Sequence, residues 1–198
     1  MKENRYKAIL IFGPPGVGKG SQAKLLCEDS RYVHFSTGDM FRNLDANTEV
    51  GARVKGLIDG GSFVPDDLTI QLFKQTLDDY VREGRYAPSE QTLILDGIPR
   101  NSAQVDLIDP IVNVKKIIYL FSDEATLIKR LTTVRAKEEG RDDDKDEETI
   151  RKRLETYEKE TKKVLDRYDS SLIERVESKG VGTMKEVDKE IKRRIANW

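Results

Sequence analysis

Ala8-Ile9-Leu10-Ile11-Phe12-Gly13-Pro14-Pro15-Gly16-Val17-Gly18-Lys19-Gly20-Ser21 is the stretch that decides how the rest of the chain is read. The apolar run Ala8–Phe12 has the pattern of a strand buried on both faces of a parallel sheet. Gly13-Pro14-Pro15-Gly16 ends it, because neither a strand nor a helix continues through two adjacent prolines flanked by glycine. From Val17 the pattern turns helical, with Ala23, Leu25 and Leu26 as apolar positions. A strand, a glycine-rich turn and a helix start in that order form a cradle for an anion. Backbone N–H groups converge in the turn, and the positive end of the helix dipole lies behind them. Lys19 supplies a point charge for the outer phosphates of a nucleotide.

The spacing is G-x-x-x-x-G-K, with Gly20 directly after the lysine and Ser21 after that. Most phosphate loops of this kind place the hydroxyl directly after the lysine, so the metal is expected to be held less directly here. The G-K-G-[ST] ending resembles that of nucleoside monophosphate kinases.

Composition narrows the alternatives. The 198 residues carry a net charge of −1, so no basic field points to nucleic acid. The single cysteine, Cys27, excludes an intrachain disulfide and an all-cysteine zinc site, and it reads as a core residue of the first helix. No apolar run is long enough for a signal peptide or a transmembrane span, and a cytoplasmic protein is expected.

Strand candidates recur between helical stretches at Lys7–Phe12, Tyr32–Phe35, Gln91–Leu95, Lys116–Phe121 and Leu172–Val176. That alternation predicts an α/β fold, a parallel sheet with helices on both faces and its ligands at the C-terminal edge. Ser36 or Thr37 can cap a helix beginning near Gly38, which sets Arg42 one turn on. His34, just before, reads as a satisfied structural histidine. Pro65 fixes a turn, and Asp66 can cap a helix over Leu68–Glu83. Leu93-Ile94-Leu95-Asp96-Gly97-Ile98-Pro99-Arg100 ends a strand in a carboxylate able to hold Mg2+ directly or through water. Taken alone it is also an ordinary strand end with a solvated arginine. Gln104 falls on the same face as Arg100 if Asn101–Leu107 is helical. Asp123 can cap a helix reaching Arg135, and a long helix is expected over Glu147–Tyr168. The acidic segment around Gly140-Arg141-Asp142-Asp143-Asp144 reads either as a solvated loop or as a lid carrying Arg141. Thr183 is a fair cap for a last helix with Val187, Ile191 and Ile195 as its stripe.

Taken together, Gly13–Gln22, Ser36–Arg42, Asp96-Gly97-Ile98-Pro99-Arg100 and Gly140-Arg141 with Arg153 resemble the adenylate kinases, in order and over nearly the whole chain. The resemblance implies a P-loop, three-layer fold with a five-stranded parallel sheet. It implies a core of residues 1–35, 66–134 and 146–198, a helical monophosphate-binding insertion at 36–65 and a short lid at 135–145. The implied activity is reversible phosphoryl transfer from Mg·ATP to AMP, giving two ADP, by a monomer with no nucleic-acid or membrane partner. On the ATP side it implies Gly13, Pro15, Gly16, Val17, Gly18, Lys19, Gly20 and Ser21 around the phosphates. Arg130 and Gly182 would lie at the adenine. On the AMP side it implies Thr37 and Gln104 at the base, with Ser62, Phe63 and Val64. Arg42, Gly97 and Arg100 would lie at the phosphate. Asp96 would orient the metal, and Arg135, Arg141 and Arg153 would close over the phosphates. Lys19, Arg100 and those three arginines make up the implied catalytic set.

Some positions depart from the pattern. Ile98 stands for the common Phe, Ser21 for Thr, and the spacing from Arg130 to Arg153, across Arg135, is a residue or two longer than in short-lid relatives. Asn101 resembles the UMP/CMP kinases, but Thr37 and Gln104 argue for AMP, since a site built to hydrogen-bond one base edge leaves polar groups unpaired against another. A nucleotide-binding module without transfer activity would have no use for the second set of arginines.

Overall fold

The computed structural model describes residues 5–59, 64–133, 147–178 and 184–196. Five parallel strands, β1 (Tyr6–Phe12), β2 (Tyr32–Ser36), β3 (Thr92–Asp96), β4 (Val112–Phe121) and β5 (Ile173–Glu177), form one sheet in the order β2-β3-β1-β4-β5. The strand quoted first is therefore central. Ala8, Leu10 and Phe12 face one apolar cluster, and Ile9 and Ile11 face the other. An unbroken apolar run is what burial on both faces requires.

On the first face α4 (Asp66–Arg82) contributes Phe73 and Leu77, which pack with Phe35 and Tyr86. On the second, α1 (Lys19–Leu26), α6 (Glu124–Thr133) and α8 (Met184–Ile195) contribute Ala23 and Leu26, Leu127, and Val187 and Ile191. α2 (Thr37–Arg42) and α3 (Glu49–Asp59) follow β2, α5 (Ser102–Ile108) joins β3 to β4, and α7 (Glu147–Thr156) follows the segment after α6.

Three elements differ from expectation. β4 begins at Val112, not Lys116, because Val112–Val114 pair with Tyr6–Ala8. An irregularity between Ala8 and Ile9 absorbs the extra Lys115, so polar residues interrupt the apolar pattern without ending the strand. The helix expected over Glu147–Tyr168 changes its hydrogen bonding along its length: α7 passes into a π turn at Tyr157–Thr161 and a 3₁₀ turn at Lys162–Arg167. Ile150, Tyr157 and Val164 stay buried throughout. Side-chain periodicity reports the buried face, not whether each backbone bond spans three, four or five residues. Asp66 does not cap α4. Pro65 occupies that position with no side-chain bond, and Asp66 is the first helical residue.

Candidate active site

β1, β2 and β3 end in register, with Ile11 and Ser36 both beside Asp96. That common edge brings three loops together. The glycine-rich loop leaves β1 with Gly13 at φ 147°, where an added Cβ would overlap the Leu120 carbonyl oxygen and lie 2.9 Å from Val17 Cγ1. Only glycine lets the loop turn this close to β4. Gly18, at φ 101°, occupies the N-cap of α1 and supplies no side-chain acceptor to the helix. The first amides of α1 are thus left for an anion. Lys19 Nζ bends back over the loop and donates to the carbonyls of Gly13 (2.8 Å) and Pro14 (3.1 Å). Of the other loop residues, Val17 is buried, Pro15 and Gly20 are half-buried, and Ser21 is exposed.

Asp96, with its side chain 14% exposed, faces this loop: its Oδ2 lies 3.4 Å from where a Cβ on Gly20 would stand. Burial opposes its ionisation. His34, Lys19 and Arg100 together outweigh burial and hold the carboxyl below the ordinary aspartate range. His34 is not the satisfied residue the sequence implied. Its buried Nε2 has no hydrogen-bond partner and stands 3.8 Å from Asp96 Oδ2, beyond hydrogen-bond reach but close enough for charge attraction once protonated. The donor set suits Mg2+, which takes one or two carboxylates plus substrate phosphates and water. Among the described residues no group of three or more His, Cys, Asp or Glu forms an all-protein cage.

Beyond Asp96 the chain turns at Gly97 (φ 89°) and continues through a cis Ile98–Pro99 bond. Arg100 Nε donates back to the Gly97 carbonyl at 2.9 Å. Thr37, 1% exposed, donates its hydroxyl to the same carbonyl at 3.0 Å. Ser36 caps α2 by accepting from the Asp39 N–H. Thr37, Gly97 and Arg100 line a small pocket, with Val64, Gln104 and Thr69 also on its wall. The Gln104 Oε1 accepts from the Arg100 backbone N–H at 2.7 Å and its Nε2 donates to Asp66 Oδ1 at 2.6 Å. The helix expected over Asn101–Leu107 runs over Ser102–Ile108, and Asn101 caps it by accepting from the Gln104 N–H. Arg42 is exposed and pairs with Asp39 (2.5 Å), a bond a phosphate would have to displace.

Arg130, on α6, donates to the Val17 carbonyl (3.3 Å) and to Ser178 Oγ (2.9 Å), and burial pulls its pKa down. Ser178, just past β5, was not singled out in the sequence. It is buried, donates to the Val17 carbonyl (2.9 Å) and accepts from Ser122 Oγ through its own carbonyl (2.9 Å). A hydroxyl at the carboxyl end of a strand was the available signal. Arg153 is half-buried on α7. Ser62, Phe63, Arg135, Arg141 and Gly182 lie outside the described residues, as do the expected lid and the Thr183 cap. Cys27 packs against the core at the end of α1, and burial, then the Asp29 charge, pushes its thiol up to about 11, far from a nucleophile's range.

The sequence model of the adenylate kinase family matches residues 11–173. The chain is 36% identical over 197 residues to an adenylate kinase of Prochlorococcus marinus subsp. pastoris, covering 96% of this chain and 98% of that one. It is 39% identical over 196 residues to one from Clavibacter michiganensis subsp. michiganensis, covering 95% and 92%. One from Maricaulis maris is 41% identical over 155 residues, covering 75% and 78%. With a phosphate loop, an ionised strand-end aspartate and an arginine-flanked pocket at one sheet edge, and with these relatives spanning nearly its whole length, the chain belongs to the adenylate kinase family of nucleoside monophosphate phosphotransferases.

Proposed function

We propose that this enzyme transfers the terminal phosphoryl group of ATP to AMP, reversibly and directly, forming two ADP. The observation that carries this reading is the convergence of Lys19, Asp96 and Arg100 on one edge, with a phosphate cradle on one side and the Thr37–Gln104 pocket on the other. Two anionic tails entering from the two sides meet between a lysine and a guanidinium.

Gly13, Pro15, Gly16, Val17, Gly18, Gly20 and Ser21 would wrap the ATP phosphates, with Lys19 leaving the Gly13 and Pro14 carbonyls to follow the transferred group. Arg130 would flank the ATP adenine near Gly182. Thr37 and Gln104 would read the AMP base beside Ser62, Phe63 and Val64, and Arg42 and Arg100 would hold its phosphate against the Gly97 turn. Asp96 would hold and orient Mg2+, directly or through water, and the ion would supply positive charge against that building up on the phosphates. Arg135 and Arg141, from a lid at 135–145, and Arg153, from α7, would close over the phosphates, with 36–65 as the monophosphate-binding insertion. Such a reaction needs in-line positioning and positive charge, and no side-chain nucleophile.

The test is a panel of nucleoside monophosphates with Mg·ATP, with products identified by chromatography. AMP is expected to be turned over fastest, yielding ADP alone. Faster turnover of UMP or CMP would overturn the assignment of AMP. A two-headed adenosine–phosphates–adenosine ligand is expected to bind far more tightly than ATP, and equal affinity would overturn transfer between two bound nucleotides.

A further inference from the structure

Asp66 opens α4, immediately after the proposed monophosphate-binding insertion, and its carboxylate turns towards the start of α5. It accepts from Gln104 Nε2 at 2.6 Å and from Asn101 Nδ2 through both oxygens at 3.1 Å. Asn101 closes the triangle by accepting from the Gln104 backbone N–H at 2.8 Å. The chemistry of the partners fixes which way the Gln104 amide points. A carboxylate only accepts, so Nε2 faces Asp66. The Arg100 backbone N–H only donates, so Oε1 faces Arg100, at 2.7 Å. Turning the amide over would set donor against donor and acceptor against acceptor. Gln104 is 4% exposed, so little water could relieve either mismatch.

We propose that Asp66 is a positioning residue that locks the Gln104 amide in one of its two orientations and so sets the base preference of the monophosphate pocket. The inference rests on the proposed reading of that pocket. With one Nε2–H bound to Asp66 and one Oε1 lone pair taken by Arg100, the amide keeps one donor and one acceptor. That pair matches a base edge with a bare ring nitrogen beside an amino group, as in adenine. Held in one order, the same pair facing guanine or uracil in the same seat sets donor against ring N–H and acceptor against carbonyl, a mismatch that only turning the amide over would relieve. Cytosine shares the adenine pattern and is separated from it by ring size, not by the lock.

The test is kcat and KM for AMP, GMP, UMP and CMP with Mg·ATP in the wild type and in Asp66→Asn. Asparagine keeps the shape but can present a donor or an acceptor, so it no longer dictates the amide's orientation. The preference for AMP over GMP is expected to fall about tenfold. The fall should come through KM for the monophosphate, with CMP following AMP and KM for ATP unchanged. Asp66→Ala, with its fold checked by urea unfolding, is expected to shift the ratio in the same direction. Nitrogen-15 NMR of the nucleotide-free protein should show the Gln104 side-chain amide resonance displaced in both variants. A ratio that stays fixed in both variants, or a uniform loss across all four monophosphates, would overturn the proposal. A wild type that prefers CMP overturns the AMP reading alone and leaves the lock standing, whereas one that prefers GMP or UMP overturns both.

Discussion

Gly97→Ala separates backbone strain from crowding. At φ 89° an alanine costs about 1–2 kcal/mol relative to glycine. Its Cβ would also overlap Thr37 Oγ1 and come within 3.3 Å of Arg100 Nη2. Thr37, 1% exposed, would have to swing away from the Gly97 carbonyl, 3.0 Å distant, and its hydroxyl would lose that partner. A buried hydroxyl without a partner costs about 1–3 kcal/mol, so the total loss is about 2–5 kcal/mol. Gly84→Ala is the internal control: φ is 70° there, but nothing lies within 4 Å of the added carbon, so strain alone, about 1–2 kcal/mol, is expected. Urea unfolding of both variants at neutral pH gives the comparison. Because Thr37 and Arg100 both move, KM for AMP in Gly97→Ala should rise about tenfold or more while KM for ATP holds. A stability loss no larger than that of Gly84→Ala, with KM for AMP unchanged, would refute the argument.

Three further outcomes are expected. Lys19→Met should leave the fold intact, since Nζ donates to loop carbonyls outside both apolar clusters, while kcat falls about a thousandfold or more; circular dichroism and initial rates check both halves. Ser178→Ala should cost about 1–3 kcal/mol and raise KM for ATP more than KM for AMP, because the Val17 carbonyl and Arg130 lose a shared partner. Asp96 titrates lower folded than unfolded, so its ionised form adds stability that is complete above about pH 4 and is lost as pH falls through the folded value. In EDTA, the stability difference between wild type and Asp96→Asn should therefore shrink as pH drops below about 4, and a difference that grows would reverse the sign.

The sheet was legible because its central strands carry their burial in composition: Ala8–Phe12 and Leu93–Leu95 admit no amphipathic helix. The phosphate loop was legible because glycine spacing and one lysine are local properties. The Asp66–Asn101–Gln104 triangle was not, since it joins the start of one helix to the start of another. A local rule assigns Asp66 to its own helix, and only the packed structure offers it Asn101 and Gln104 as donors. Ser178 was hidden for the same reason, its partner Val17 lying at the other end of the chain. His34 showed the limit of a prior: strand histidines usually find a hydrogen bond, and this one finds a carboxylate slightly too far away.

The strand order has a consequence during synthesis. β1 leaves the ribosome early, yet both of its neighbours, β3 and β4, are made after α4. At about 5–20 residues per second, its backbone N–H and C=O groups stay without their ladder partners, and its apolar side chains without their cover, for several seconds. Nascent chains stalled before β3 should therefore recruit chaperones, and release should coincide with the emergence of β4.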